Sequence, residues 1–255
     1  MSTPPADRIG AAGWTRLIAR AFALVVFLLA CLLLYALAAP LPGRNPMARV
    51  FLSGVLRIVG GRITITGKPA TAPSVLLANH LSWIDIPALA SATGTAFVAH
   101  AGLAEHPIMR FLCELNRTVF IARNDRASVA AQVDQVRDGL HESGVLTLFP
   151  EGTTGDGPQL LPFKSSLLAA VEQSAVDVTI RPVWIDYGDL TSQFAWIGDE
   201  PGLENAKRIL ARAGHFTVTA HLLPALTPED RRDRKAIAAA AHAAIAEQMD
   251  QRVAL

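Results

Sequence analysis

Two residues able to move a proton stand five positions apart in the stretch Asn79-His80-Leu81-Ser82-Trp83-Ile84-Asp85. An imidazole, with an ordinary pKa of about 6.5, can take a proton from a hydroxyl near neutral pH. A carboxylate beside it can orient the ring and stabilise the imidazolium that forms. The pattern therefore predicts His80 as a general base and Asp85 as the group that holds it. Taken alone, His-x4-Asp is more often a loop histidine followed by a helix-capping aspartate, because Asp accepts from free N–H groups and Pro87 suits a first turn.

Three later stretches also place polar groups directly after apolar runs. Phe120-Ile121-Ala122-Arg123 ends on a permanent cation whose planar fork suits phosphate or carboxylate. Phe149-Pro150-Glu151-Gly152-Thr153-Thr154 contains a glycine that permits a tight turn with N–H groups facing a ligand. Ile180-Arg181-Pro182-Val183 interrupts an apolar run with a proline, which predicts an edge position or a strand end. Singly, each also fits an ordinary surface arginine, a proline-glycine turn or a strand terminus.

In this order and spacing, the four stretches resemble the four blocks of the glycerolipid acyltransferase family, which includes the bacterial 1-acylglycerol-3-phosphate acyltransferases. The resemblance covers roughly residues 74–226. It implies transfer of a fatty acyl group from acyl carrier protein or coenzyme A to the free hydroxyl of a lysolipid, in membrane phospholipid synthesis. His80 and Asp85 would be the catalytic pair. Arg123, Glu151, Gly152, Thr153 and Thr154 would bind and shape the acceptor. No cofactor and no metal are implied, since the acyl thioester is a substrate. The implied partners are membrane lipids, the lysolipid and the acyl donor; the implied location is the inner membrane, with the catalytic part facing the cytoplasm.

The chain departs from the family at two places. Thr154 stands where glycerol phosphate acyltransferases commonly have Arg, and Gly155-Asp156-Gly157 follows it. His100 stands where Lys is frequent. Both changes subtract positive charge, although Lys164 or Arg181 could replace a lost phosphate contact. The Glu-Gly-Thr-Thr form resembles the bacterial enzymes that acylate lyso-ornithine lipid, whose acceptor has no phosphate. Lyso-ornithine lipid is therefore the alternative acceptor to lysophosphatidate.

Other classes fit less well. A thioesterase or serine hydrolase would share His and Asp, but no Gly-x-Ser-x-Gly elbow occurs, and Ser82 suits a local turn bond. The histidines form no His-Glu-x-x-His motif and no Cys/His cluster. Cys31 and Cys113 give neither a disulfide framework nor zinc spacing. A net charge of +1 and the lack of any nucleic-acid-reading motif argue against DNA or RNA. A non-catalytic lipid-binding membrane protein would not need all four polar stretches.

The elements that must hold these residues follow from periodicity. Short strand signals at 62–66, 74–78, 96–99, 119–121, 145–149, 178–184 and 216–222 alternate with helical patterns at 86–91, 107–115, 128–142, 163–173 and 204–213. This predicts an α/β fold, a layered and mainly parallel sheet flanked by helices. A final helix should start at Thr227-Pro228-Glu229-Asp230. With 51% hydrophobic and 18% charged residues among 255, the chain is more apolar than a typical soluble domain. Much of that excess lies in residues 21–39, uncharged and long enough to cross about 30 Å of hydrocarbon. A cleaved signal has support in the basic front of Arg8, Arg16 and Arg20 and in the small-residue site Ala36-Leu37-Ala38, but the apolar stretch exceeds the usual h-region of about 7–15 residues, and arginines flank it on both sides. Residues 47–59 form a second amphipathic pattern beyond Pro40, Pro42 and Pro46. Besides cleavage, two readings are favoured, a spanning helix or a hairpin lying in one leaflet with its arginines at the headgroups. Residues 1–61 are accordingly the expected membrane anchor and 62–255 the expected acyltransferase domain.

Overall fold

A computed structural model of the chain describes residues 9–38, 45–121, 129–174 and 178–253. In chain order these form α1 (Ala11–Ala38), α2 (Met47–Ile58), β1 (Gly61–Gly67), β2 (Ser74–Ala78), α3 (Asp85–Thr93), β3 (Ala96–His100), α4 (Pro107–Leu115), β4 (Val119–Ile121), α5 (Val129–Ser143), β5 (Val145–Leu148), α6 (Ala169–Ser174), β6 (Thr179–Asp186), α7 (Thr191–Phe194), α8 (Gly202–Ala211), β7 (Phe216–Leu222) and α9 (Arg234–Val253). Among the described residues seven strands make one sheet in the order β1-β7-β6-β2-β5-β3-β4. Every pairing is parallel except β6 with β7.

Helices cover both faces of the sheet, so central strands are apolar on both sides. Strand β2 is the clearest case, with all five residues buried. Its Leu76 and Ala78 join Leu56, Ile84, Leu89 and Ile209 in one core. Its Val75 and Leu77 join Val136, Leu140, Val171 and Ile237 in the other, as the two-residue period of a strand requires.

Pro182 lies inside the sheet rather than at an edge, since β6 pairs with β2 on one side and β7 on the other. Its carbonyl accepts from the N–H of Leu223 at 3.0 Å, so its nitrogen faces the β7 side. There the antiparallel ladder begins only at Val183, opposite Leu222. The missing N–H therefore costs only the return bond of the first rung, at the margin of the pairing, which reconciles the proline with a central strand.

The last helix starts later than its sequence signal. Thr227 and Asp230 bond each other reciprocally around a short 3₁₀ turn at Glu229–Arg231. Asp233 then accepts from the N–H groups of Lys235 and Ala236 at 2.7 and 2.9 Å, and α9 begins at Arg234.

Helices α1 and α2 form an antiparallel hairpin. The rings of Phe27 and Phe51 stack at 6.1 Å, and Asn45 Nδ2 donates to the Tyr35 carbonyl at 3.1 Å. Gly54 allows the close approach, because a Cβ there would lie 1.9 Å from a Phe27 ring carbon. Arginines fasten the hairpin to the sheet domain. Arg16 donates to the Ala211 carbonyl, and Arg20 to those of Leu210 and Arg212, at the C-terminal end of α8. Arg49 of α2 donates to Ser91 and Ala92 carbonyls at 3.0–3.3 Å, the last turn of α3. Cations at helix C-termini satisfy carbonyls that have no partner within the helix. Arg49 is thus committed to a helix end, while Arg57 is exposed. Beyond Arg20, α1 leaves Phe22, Leu29, Leu33 and Leu37 largely exposed. Among the described residues it is the one helix long and apolar enough to cross a membrane.

Candidate active site

The site is built where β2 and β5, neighbours in the sheet, end side by side. Asn79 follows β2 and locks its exit: its amide donates to the Ile185 carbonyl at 3.1 Å and accepts from the Ile185 N–H at 2.6 Å. The chain then turns through His80–Ser82 into α3. Nearly every backbone group of this turn is occupied. The His80 N–H donates to Glu151 Oε1 at 3.0 Å, and the His80 carbonyl accepts from the Gly155 N–H at 2.8 Å. The Leu81 carbonyl accepts from the Trp196 N–H at 2.8 Å. The N–H groups of Leu81 and Ser82 both donate to Asp85 Oδ2, at 2.7 and 2.9 Å.

The same carboxylate oxygen lies 2.8 Å from His80 Nδ1. His80 and Asp85, predicted from spacing, are therefore in contact. The expected capping role takes another form: Asp85 is the first residue of α3 and turns back to the preceding N–H groups instead of serving its own helix. With Nδ1 held as the donor to Asp85, Nε2 is the ring nitrogen left to accept a proton. Asp85 is fully buried and the His80 side chain is 17% exposed, so the reactive edge is reachable while its support is dry. The imidazole lies flat on Phe149, with centroids 4.0 Å apart and planes 16° from parallel, and Phe97 stacks beyond at 6.0 Å. The stack fixes the plane of the ring.

Glu151 stands behind the histidine, 2% exposed. Burial pushes its carboxyl up to about 8, against the N–H donors of His80 and Leu161, and the nearby Asp85 charge adds to the rise. Gly152 takes φ +67°, a conformation that suits glycine, and its N–H closes the turn on the Phe149 carbonyl at 3.1 Å. Thr153 is exposed. Thr154, in place of an arginine, donates its hydroxyl to the Trp196 carbonyl at 2.6 Å. Trp196 thus ties the turn after β5 to the turn after β2.

The remaining sequence candidates separate. Arg123 lies outside the described residues. Arg181 is paired with Leu76, four residues before His80 and about 13 Å back along the sheet. Its guanidinium donates to the Lys68 carbonyl, so the suggestion that it replaces a phosphate contact fails. Lys164 keeps an exposed side chain, and its N–H donates to Pro150, next to Glu151. Phe149 and Trp196 were not singled out from the sequence. Phe149 sat inside a quoted block, whereas Trp196 reaches the site through backbone atoms that its side-chain type does not advertise.

Comparison with known proteins bears on the family. A family model described as Acyltransferase matches residues 62–186, which run from β1 to the end of β6. A lyso-ornithine lipid O-acyltransferase of Rhodobacter capsulatus is 35% identical over 98% of this chain and 96% of its own. A 1-acyl-sn-glycerol-3-phosphate acyltransferase of Neisseria gonorrhoeae is 35% identical over 50% of each. The crystal structure of the 1-acyl-sn-glycerophosphate acyltransferase of Thermotoga maritima superposes with a TM-score of 0.64, covering 94% of this chain and 98% of that one at 17% identity, which bears on the fold alone. A histidine held by a buried aspartate at a strand end, on a sheet of this topology and with a relative matched from end to end, has one reading: the chain belongs to the acyltransferase family.

Proposed function

We propose that the protein transfers an acyl chain from acyl carrier protein or coenzyme A to the hydroxyl of a lysolipid, with His80 as general base. The observation that carries this reading is the His80–Asp85 contact. His80 Nε2 takes the proton of the acceptor hydroxyl as its oxygen attacks the thioester carbonyl. The tetrahedral adduct collapses, the C–S bond breaks, and the imidazolium returns the proton to the leaving thiolate. The products are an ester and a thiol, and no covalent enzyme intermediate is needed.

The acceptor is best read as lyso-ornithine lipid. The Rhodobacter capsulatus relative, matched along nearly its whole length, supports this choice, as does Thr154, whose hydroxyl is occupied by Trp196 rather than offered to an anion. The Neisseria relative favours lysophosphatidate as a second reading. Gly152 and Thr153 line the acceptor side of the turn, and Arg123 supplies the cation. Residues 1–61 serve as the membrane anchor, lying as a hairpin in the cytoplasmic leaflet of the inner membrane. Fastening of both helices to the sheet domain supports the hairpin over a span.

The test is acyl transfer by the purified full chain in detergent, with labelled acyl donor and each lysolipid side by side. We expect preference for lyso-ornithine lipid. His80→Ala should lower turnover by about 10²–10⁴-fold without unfolding the protein. A folded His80→Ala enzyme of full activity would remove the general-base assignment, and fatty acid release without acceptor would make the protein a thioesterase.

A further inference from the structure

Asp85 has a second oxygen, and its partner lies outside the four sequence blocks. Tyr187 directly follows β6, and its hydroxyl donates to Asp85 Oδ1 at 2.5 Å. The residue is 2% exposed. Its ring is stacked on Phe194 at 4.9 Å and on Phe216 at 6.3 Å, so an aromatic wall fixes the direction of the O–H. The exit of β6 is itself anchored, because Asp186 accepts from the Gly188 N–H and from Arg252.

We propose that Tyr187 is a positioning residue for the acyl-transfer reaction, acting through Asp85 on His80. The carboxylate receives four donors: His80 Nδ1–H, two backbone N–H groups and the tyrosine hydroxyl. The first three converge on Oδ2. Among the described residues Tyr187 is the donor to Oδ1, where it fixes the rotation of the carboxylate plane and draws charge away from the oxygen facing the imidazole. Burial first, and the Asp85 charge second, push the phenol well above its ordinary value, so it stays a donor. A carboxylate so held keeps one orientation and presents Oδ2 to His80 Nδ1. The other ionisable groups about the pair are Glu151 and Asp156 on the loop after β5, and Arg212, whose guanidinium lies over the Phe194 and Phe216 rings at 5.2 and 5.7 Å. A change at the tyrosine hydroxyl leaves all three in place.

The inference rests on the acyltransferase reading, but half of its test does not. Tyr187→Phe keeps the stacked ring and deletes only the hydroxyl. In the purified full chain, kcat should fall about tenfold or more, the effect of losing one hydrogen bond to a charged group, with KM for donor and acceptor unchanged. Independently of turnover, the pH dependence of His80 carbethoxylation by diethyl pyrocarbonate, read by mass on the His80 peptide, should move its midpoint to higher pH. The sign follows because a carboxylate with one donor fewer keeps more charge for the imidazolium. Phe194→Leu, which loosens the wall without touching the hydroxyl, should lower Tm and leave that midpoint in place. An unmoved midpoint in Tyr187→Phe, or an equal shift in Phe194→Leu, overturns the proposal. Absence of acyl transfer in the wild-type chain would instead overturn the reading of function.

Discussion

Glu151 is held neutral by its surroundings at a position where its oxygens also hold the backbone of His80. Its carboxyl, raised from 4.5 to about 8 chiefly by burial, binds its proton more tightly in the fold than in the unfolded chain. The stability this proton contributes is complete below about 4.5 and is lost as pH rises through about 8. Glu151→Gln takes no charge and keeps a carbonyl acceptor, so its Tm should fall less than that of the wild type between about pH 5 and 8. Thermal unfolding of both proteins across that window checks this, and parallel curves would show that Glu151 does not titrate there. At this scale the sequence disclosed residue types but not what they lean on. The five-residue spacing of His80 and Asp85 was legible because a turn between strand and helix closes it locally. Tyr187 was not, because its contact spans 102 residues and depends on β6 lying beside β2.

Elements were legible where the pattern was local. The strands at 74–78, 119–121 and 216–222 appear with the expected bounds. Where two signals competed, a contact decided the outcome. Pro182 sits in a central strand because its nitrogen faces the first rung of the antiparallel pairing, where a single return bond is lost, and α9 waits for Asp233 because Thr227 and Asp230 spend their bonds on each other. The hairpin depends on one small residue. Gly54→Val would push a branched side chain into Phe27, and overpacking of this kind costs about 1–3 kcal/mol. We expect a lower Tm in detergent and weaker retention of the protein on membranes washed with high salt. An unchanged Tm would mean that α1 and α2 are not packed through this point. The period of residues 47–59 announced an amphipathic helix, but nothing in it announced that Arg49 would cap α3.

For the whole molecule, the hairpin reading predicts that both ends of α1–α2 face the same compartment. Single cysteines at Gly10 and Asp199, in a chain lacking Cys31 and Cys113, should react with an impermeant maleimide only after the inner membrane is opened from the cytoplasmic side. Labelling of the Gly10 site alone from the periplasm would make α1 a span. The order of strands, with β1 and β7 added antiparallel beyond β6, could not be read from a linear alternation of strands and helices, because sheet order is fixed by long-range packing.

Helix α3 begins at Asp85 and ends under the guanidinium of Arg49. It is nine residues long, hence a rigid strut of about 13 Å. One end carries the carboxylate that contacts His80, and the other is bolted to the α1–α2 hairpin. On the proposed hairpin reading, the strut would fix how far above the lipid surface a hydroxyl must rise to be acylated. Inserting one helical turn into α3 should alter which lysolipids are long enough in the headgroup to react, leaving the chemistry of the pair untouched.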